Sequence, residues 1–177
     1  MKVNPWQVDK RWSDRFLPEI KSVLGTHLIA EPPVEEDAKR NTDLMVLKMD
    51  AVRVGCRVRK NKYLNRFGNE FTIRSGRPSG SKTELTKIIE GWGDYFFYGF
   101  CDETETYLAQ WVLGDLKAFR IWHSRYMYNH KGKMPGSENP NEDKSSHFRA
   151  FQMDDIPDFV IASKRLSDFS NQYAVGT

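Results

Sequence analysis

Four carboxylates and a set of arginines between residues 36 and 84 are the groups in this sequence best suited to chemistry. Asp43 precedes the apolar run 44–47, where a strand would begin. Glu70 and Arg74 alternate with Phe71 and Ile73, so both would lie on the polar side of one strand. Glu84 opens the apolar-patterned stretch that follows, and Glu36 stands in the acidic turn 35–37. Hard oxygen ligands of this kind hold Mg²⁺ or Mn²⁺, which activates water and offsets charge on a phosphate. A nearby guanidinium would stabilise the same phosphate. The sequence therefore nominates Asp43, Glu70, Arg74 and Glu84 as a catalytic group, with Asp43, Glu70 and Glu36 as metal ligands. Each also has a purely structural account. Asp43 could cap a turn beside Thr42, and Glu70 could pair with Arg57 across strands. The acids at 35–37 suit a first helical turn, and Glu84 completes a capping box that starts at Ser81.

Other chemistries find less support. Cys56 and Cys101 are far apart, and His27, His123, His130 and His147 are scattered, so no zinc spacing exists. There is no phosphate-binding glycine loop and no dinucleotide fingerprint, and nothing local supports a Ser-His-Asp triad. His123 and His130 read as surface histidines. Trp92, Tyr95, Tyr98, Trp111 and Trp122 read as core aromatics.

Charge is unevenly placed. The whole chain carries a net +3, yet residues 51–82 hold nine basic residues against one acid, Glu70. The rest of the chain is acidic on balance. A basic block in an acidic body points to a polyanion, with DNA first among candidates and an acidic protein as the alternative. Arg53, Arg57, Arg59, Arg77 and Lys82 are the expected backbone contacts, and replacing Arg57 should lower the salt dependence of binding.

These groups need elements to hold them. Residues 12–25 pattern as an opening helix. Alternation over 51–60 puts Val52, Val54, Cys56 and Val58 on one face and Arg53, Arg57 and Arg59 on the other. Residues 70–75 alternate likewise, and the two strands are expected to pair and share a polar upper face. A helix then follows 81–84, with Leu85, Ile88 and Ile89 inward and Gly91 and Gly93 closing it. The run 95–100 is apolar on both faces, as in a covered strand. Strands over 106–113 and 147–152, a helix capped by Asp115, a mobile polar loop at 129–146 and a last helix at 156–166 complete the pattern. The expected fold is α/β, a mixed central sheet flanked by helices in a single domain.

The sequence has 177 residues, 39% hydrophobic and 13% aromatic, enough to bury a core and too apolar for a disordered chain. No apolar run approaches the roughly 18–20 residues of a membrane span. The polar start predicts a cytoplasmic protein, with both cysteines as buried free thiols.

At Glu35/Glu36, Thr42-Asp43-Leu44 and Phe71-Thr72-Ile73-Arg74-Ser75, the chain resembles the PD-(D/E)XK, restriction-endonuclease-like superfamily. The helix at 84–90 and the strand at 95–100 continue the resemblance, which spans about residues 13–125. It implies a metal-dependent nuclease acting on DNA. Thr72 stands at the position of the family's second acid and Arg74 at that of its lysine, so Glu70 or Glu84 would have to supply the missing carboxylate. A nuclease-fold binding protein without catalysis is the second expectation, and an assembly module with a basic face the third. Many such folds act as dimers, and Tyr126–Tyr128 would supply a homodimer contact.

Overall fold

The computed structural model describes residues 5–30, 45–46, 52–141 and 145–165. The chain divides into two compact units, Met1–Val52 and Arg53–Thr177. Asp43 and Glu36 lie outside the described residues.

In the first unit, helix α1 (Pro5–Asp14) is followed by α2 (Leu17–Leu28). The expected single helix is thus two. Pro18 has no N–H to donate and sits in the first turn of α2, where none is needed. The chain turns at Arg15 and Phe16, the Phe16 amide donates to the Ser13 carbonyl, and Phe16 and Ile20 are buried. Two short strands, β1 (Ile29–Ala30) and β2 (Met45–Val46), pair antiparallel.

The second unit is mixed α/β with two sheets. Strand β3 (Val54–Arg59) leads through a turn of 3₁₀ helix (Asn61–Tyr63) and the short helix α3 (Leu64–Phe67) to β4 (Glu70–Gly76). Helix α4 (Glu84–Ile89), strands β5 (Tyr95–Cys101) and β6 (Leu108–Asp115), and helix α5 (Leu116–Asn129) follow. Strands β7 (Ser137–Pro140), β8 (His147–Gln152) and β9 (Val160–Lys164) finish the unit. One sheet is mixed, in the order β3-β5-β6-β9, with β3 parallel to β5. The other is antiparallel, in the order β4-β8-β7.

This arrangement corrects three expectations. Strands β3 and β4 are not paired neighbours: they are edge strands of different sheets. The segment 129–146 contains β7, an edge strand whose polar sequence Ser-Glu-Asn-Pro hides it from a hydrophobicity pattern. The expected last helix is β9, because Ile156 and Phe159, spaced like a helical face, are the buried ends of a turn that precedes β-branched Val160-Ile161.

Phe71 of β4 is fully buried and holds the sheets together. Its ring lies 4.7 Å from Phe159, 5.4 Å from Phe151, 5.7 Å from Phe119 and 6.0 Å from Phe96. Helix α5 starts at Asp115, whose Oδ1 accepts from the amides of Lys117 at 2.6 Å and Ala118 at 3.3 Å, as the sequence predicts. The β5–β6 turn is organised by Asp102, which accepts from the Thr106 and Tyr107 amides and the Thr104 hydroxyl. These bonds hold its carboxyl down to about 2, so the turn keeps its anion throughout ordinary acid conditions.

His123 is not a surface residue. It is 5% exposed on α5 beside Phe119, and its Nε2 has no hydrogen-bond partner. Burial, and then the positive charge of Arg149, push its pKa below the ordinary 6.5. Below that value the unfolded chain takes up a proton that the folded chain resists, so stability falls as pH drops from about 6.5. Urea midpoints at pH 7.5 and 5.0 should show this loss, and His123→Phe should flatten it. Equal slopes for the two proteins would overturn the assignment.

Candidate nucleic-acid interface

The residues of the basic segment reach their positions through β3, the α3 turn, β4 and the loop into α4. Parallel pairing of β3 with β5 sets Arg57 opposite Tyr98 and Arg59 opposite Phe100. Both arginines therefore share a face with the core aromatics of β5, not with solvent. That face is open to them because β4, the edge of the other sheet, presents backbone that no strand covers. The Arg57 Nη1 donates to the Thr72 carbonyl at 2.8 Å, and its Nη2 donates to Glu84 Oε2 at 2.5 Å. Arg59 Nη1 donates to Thr72 Oγ1 at 3.1 Å and to the Tyr98 hydroxyl at 3.4 Å, while its guanidinium covers the Tyr63 ring at 4.4 Å. The Thr72 and Tyr98 hydroxyls are 3.1 Å apart. The two arginines thus stitch the edge of one sheet to the edge of the other.

Glu84 reaches this cluster because the helix cap is shifted from its expected frame. Thr83, not Ser81, is the N-cap of α4, and its Oγ1 accepts from the Thr86 amide at 3.2 Å. Glu84 is therefore the first helical residue and owes nothing to a capping box. Its Oε2 accepts from the Arg74 amide at 3.2 Å as well as from Arg57. A carboxylate from α4 is delivered to the stretch Thr72-Ile73-Arg74. Thr83→Ala should cost about 1 kcal/mol in a thermal or urea melt. An unchanged midpoint would mean that the cap contributes nothing.

The other nominated acids do not join it. Glu70 lies at the far end of β4, about 13 Å along the strand from Arg74. Its Oε1 accepts from the Gln152 side chain at 2.7 Å across the β4–β8 ladder. Glu70 pairs with neither Arg57 nor Arg74 among the described residues. No group of three His, Cys, Asp or Glu side chains suited to a metal ion occurs among the described residues.

The nine cations of the segment divide into two sets. Arg57 pairs with Glu84, Lys60 with Glu105 at 3.1 Å, and Lys82 with Glu90 at 2.7 Å. Arg53, Arg59, Lys62, Arg66, Arg74 and Arg77 have no carboxylate partner among the described residues. Lys62 lies 4.9 Å from the Tyr63 ring and Arg66 5.1 Å from that of Phe67. Arg53, Lys62, Arg66 and Arg77 are exposed, and Arg74 is half-buried. Cys56, expected to be buried, is exposed, whereas Cys101 is buried; both thiols are free. Trp92 is likewise outside the core, at 64% exposure. Only its two flanking glycines could have signalled this in the sequence. Among the described residues no helix is long and apolar enough to cross a membrane. Compared with known proteins, the chain matches no family model, no curated sequence and no solved structure.

Proposed function

We propose that this protein binds the phosphate backbone of nucleic acid, DNA first, through the segment 53–82. One observation carries the reading: six of the nine cations there lack a carboxylate partner among the described residues, and four of the six are exposed. Cations without counter-charge along one segment attract phosphate oxygens, which accept strong, charge-assisted hydrogen bonds from them. The reading is tested by anisotropy titrations of labelled single-stranded and duplex DNA over a salt series. Affinity should fall steeply with salt as counterions are released. Absence of binding at low salt, or binding indifferent to salt, would overturn it. A cytoplasmic setting fits the free thiols of Cys56 and Cys101.

A second reading, metal-dependent cleavage on a restriction-endonuclease-like core, is favoured by the position of Glu84. Its carboxylate lies against Thr72-Ile73-Arg74, where the family resemblance calls for an acid, and its Oε1 has no hydrogen-bond partner among the described residues. Glu84 would hold the ion, and Arg74 would face the phosphate. Mg²⁺ or Mn²⁺ bound there would supply an activated water and offset charge on the phosphate. Arg57 already neutralises Glu84, which favours binding over cleavage. Plasmid and single-stranded DNA incubated with Mg²⁺, Mn²⁺ or EDTA decide between the two. Metal-dependent nicking abolished by Glu84→Gln and by Asp43→Ala would establish cleavage. Binding without nicking would leave the first reading alone.

A further inference from the structure

Helix α4 ends in a closure with two hydrogen bonds. The Gly91 amide donates to the Ile88 carbonyl and the Trp92 amide to the Lys87 carbonyl, both at 3.0 Å. Gly91 and Gly93 take φ values of 98° and 82°, a region that residues with a side chain rarely adopt. Beyond them, the Gly93 carbonyl accepts from Arg120 Nη1 at 3.1 Å, and the Asp94 amide donates to the Arg53 carbonyl at 2.9 Å. Trp92 is therefore held from both sides by fixed backbone, not carried on a loose loop.

At such a helix end the residue in the position of Trp92 commonly folds back over the last turn. Trp92 instead remains 64% exposed, with no ring or cation contact among the described residues. Trp12, Trp111 and Trp122 are all partly buried. A rigidly mounted, open indole exposes a large apolar face to water, an arrangement that favours a flat apolar partner. The charges nearby favour an anionic one. Arg53 joins the rim through its backbone bonds to Asp94, and Lys87 through its carbonyl bond to Trp92. Neither side chain has an ion pair among the described residues. Of the neighbouring acids, Glu90 pairs with Lys82, and Asp94, whose Oδ2 accepts from the Arg53 backbone amide at 2.8 Å, keeps its charge, one anion against the two cations Arg53 and Lys87.

We infer that Trp92 is a stacking platform for an unpaired base of single-stranded nucleic acid, with Arg53 and Lys87 taking the adjoining phosphates. This rests on the nucleic-acid reading above and adds a substrate class to it. Bases inside a duplex have both faces covered by their neighbours, so only an unpaired base can lie on the indole.

The test compares the full chain with Trp92→Ala and Trp92→Phe, using a fluorescein-labelled oligothymidylate and a duplex of equal length at low salt. Trp92→Ala should weaken the single strand about tenfold, change duplex affinity less than twofold and leave the salt slope unaltered. Trp92→Phe keeps a ring and should restore most of the affinity while removing the fluorescence quench that the oligothymidylate causes. Retained single-strand affinity in Trp92→Ala, or equal losses on both DNAs, would overturn this inference and leave backbone binding standing. If the unaltered chain binds neither DNA, both readings fall, and Trp92 becomes a contact for protein instead. Melting curves of both variants check the fold.

Discussion

Replacing Phe71 with alanine should destabilise the second unit by about 3–5 kcal/mol, the largest single loss expected among the described residues. The ring is fully buried and stacks within 16° of parallel on Phe159 and within 28° on Phe151. Phe119 and Tyr98 meet it edge-on. Its partners come from strands of both sheets, from helix α5 and from the turn before β9, so no one of them can move into the void without opening another contact. Phe71→Leu keeps part of the volume and should cost markedly less. Urea denaturation followed by tryptophan fluorescence measures both. A loss under about 1 kcal/mol for Phe71→Ala would mean that the sheets do not meet through this ring.

The sequence makes the strands legible but not their partners. Alternation over 51–60 and 70–75 marks the strands β3 (Val54–Arg59) and β4 (Glu70–Gly76), because period-two patterning reflects the pleat of a single strand. Which sheet each strand joins depends on contacts distant in sequence, and here β3 goes to β5 while β4 goes to β8. The direction of the arginine face fails for a related reason. Polar residues normally mark the solvent side, but Arg57 and Arg59 lie on the core side of β3, where Thr72, Tyr98 and Glu84 satisfy their donors. None of those partners is a sequence neighbour. Glu84 turned on a two-residue frame shift: Ser81 and Thr83 are both good caps, and only the Thr86 amide chooses between them. The candidate site is thus half legible. Glu84 accepts from the Arg74 backbone amide and from Arg57, a partner the sequence offered to Glu70, whereas Glu70 lies apart with Gln152. Glu36 and Asp43 fall outside the described residues.

The division of the cations yields the sharpest contrast between structure and binding. Arg57→Ala should lower stability by about 1–3 kcal/mol, because it leaves the Thr72 carbonyl and the half-buried Glu84 carboxylate short of a donor. Its charge already faces Glu84, so it should leave the slope of log affinity against log salt nearly unchanged, contrary to expectation from the sequence. The double variant Arg74→Ala/Arg77→Ala should do the reverse. Neither guanidinium has a hydrogen bond or ion pair among the described residues, so the melting midpoint should hold. The salt slope should fall by about 1.8, the loss of two duplex phosphate contacts at about 0.9 each. Affinity at low salt should drop about tenfold or more for each contact, as expected of hydrogen bonds to charged groups. Lys82→Ala supplies the control. Its pair with Glu90 is exposed and worth about 0–1 kcal/mol, and both stability and slope should change little. If Arg57→Ala reduced the slope as much as the double variant did, the pairing with Glu84 would not hold in solution. If the double variant left the slope intact, the uncompensated arginines would not be where phosphate binds.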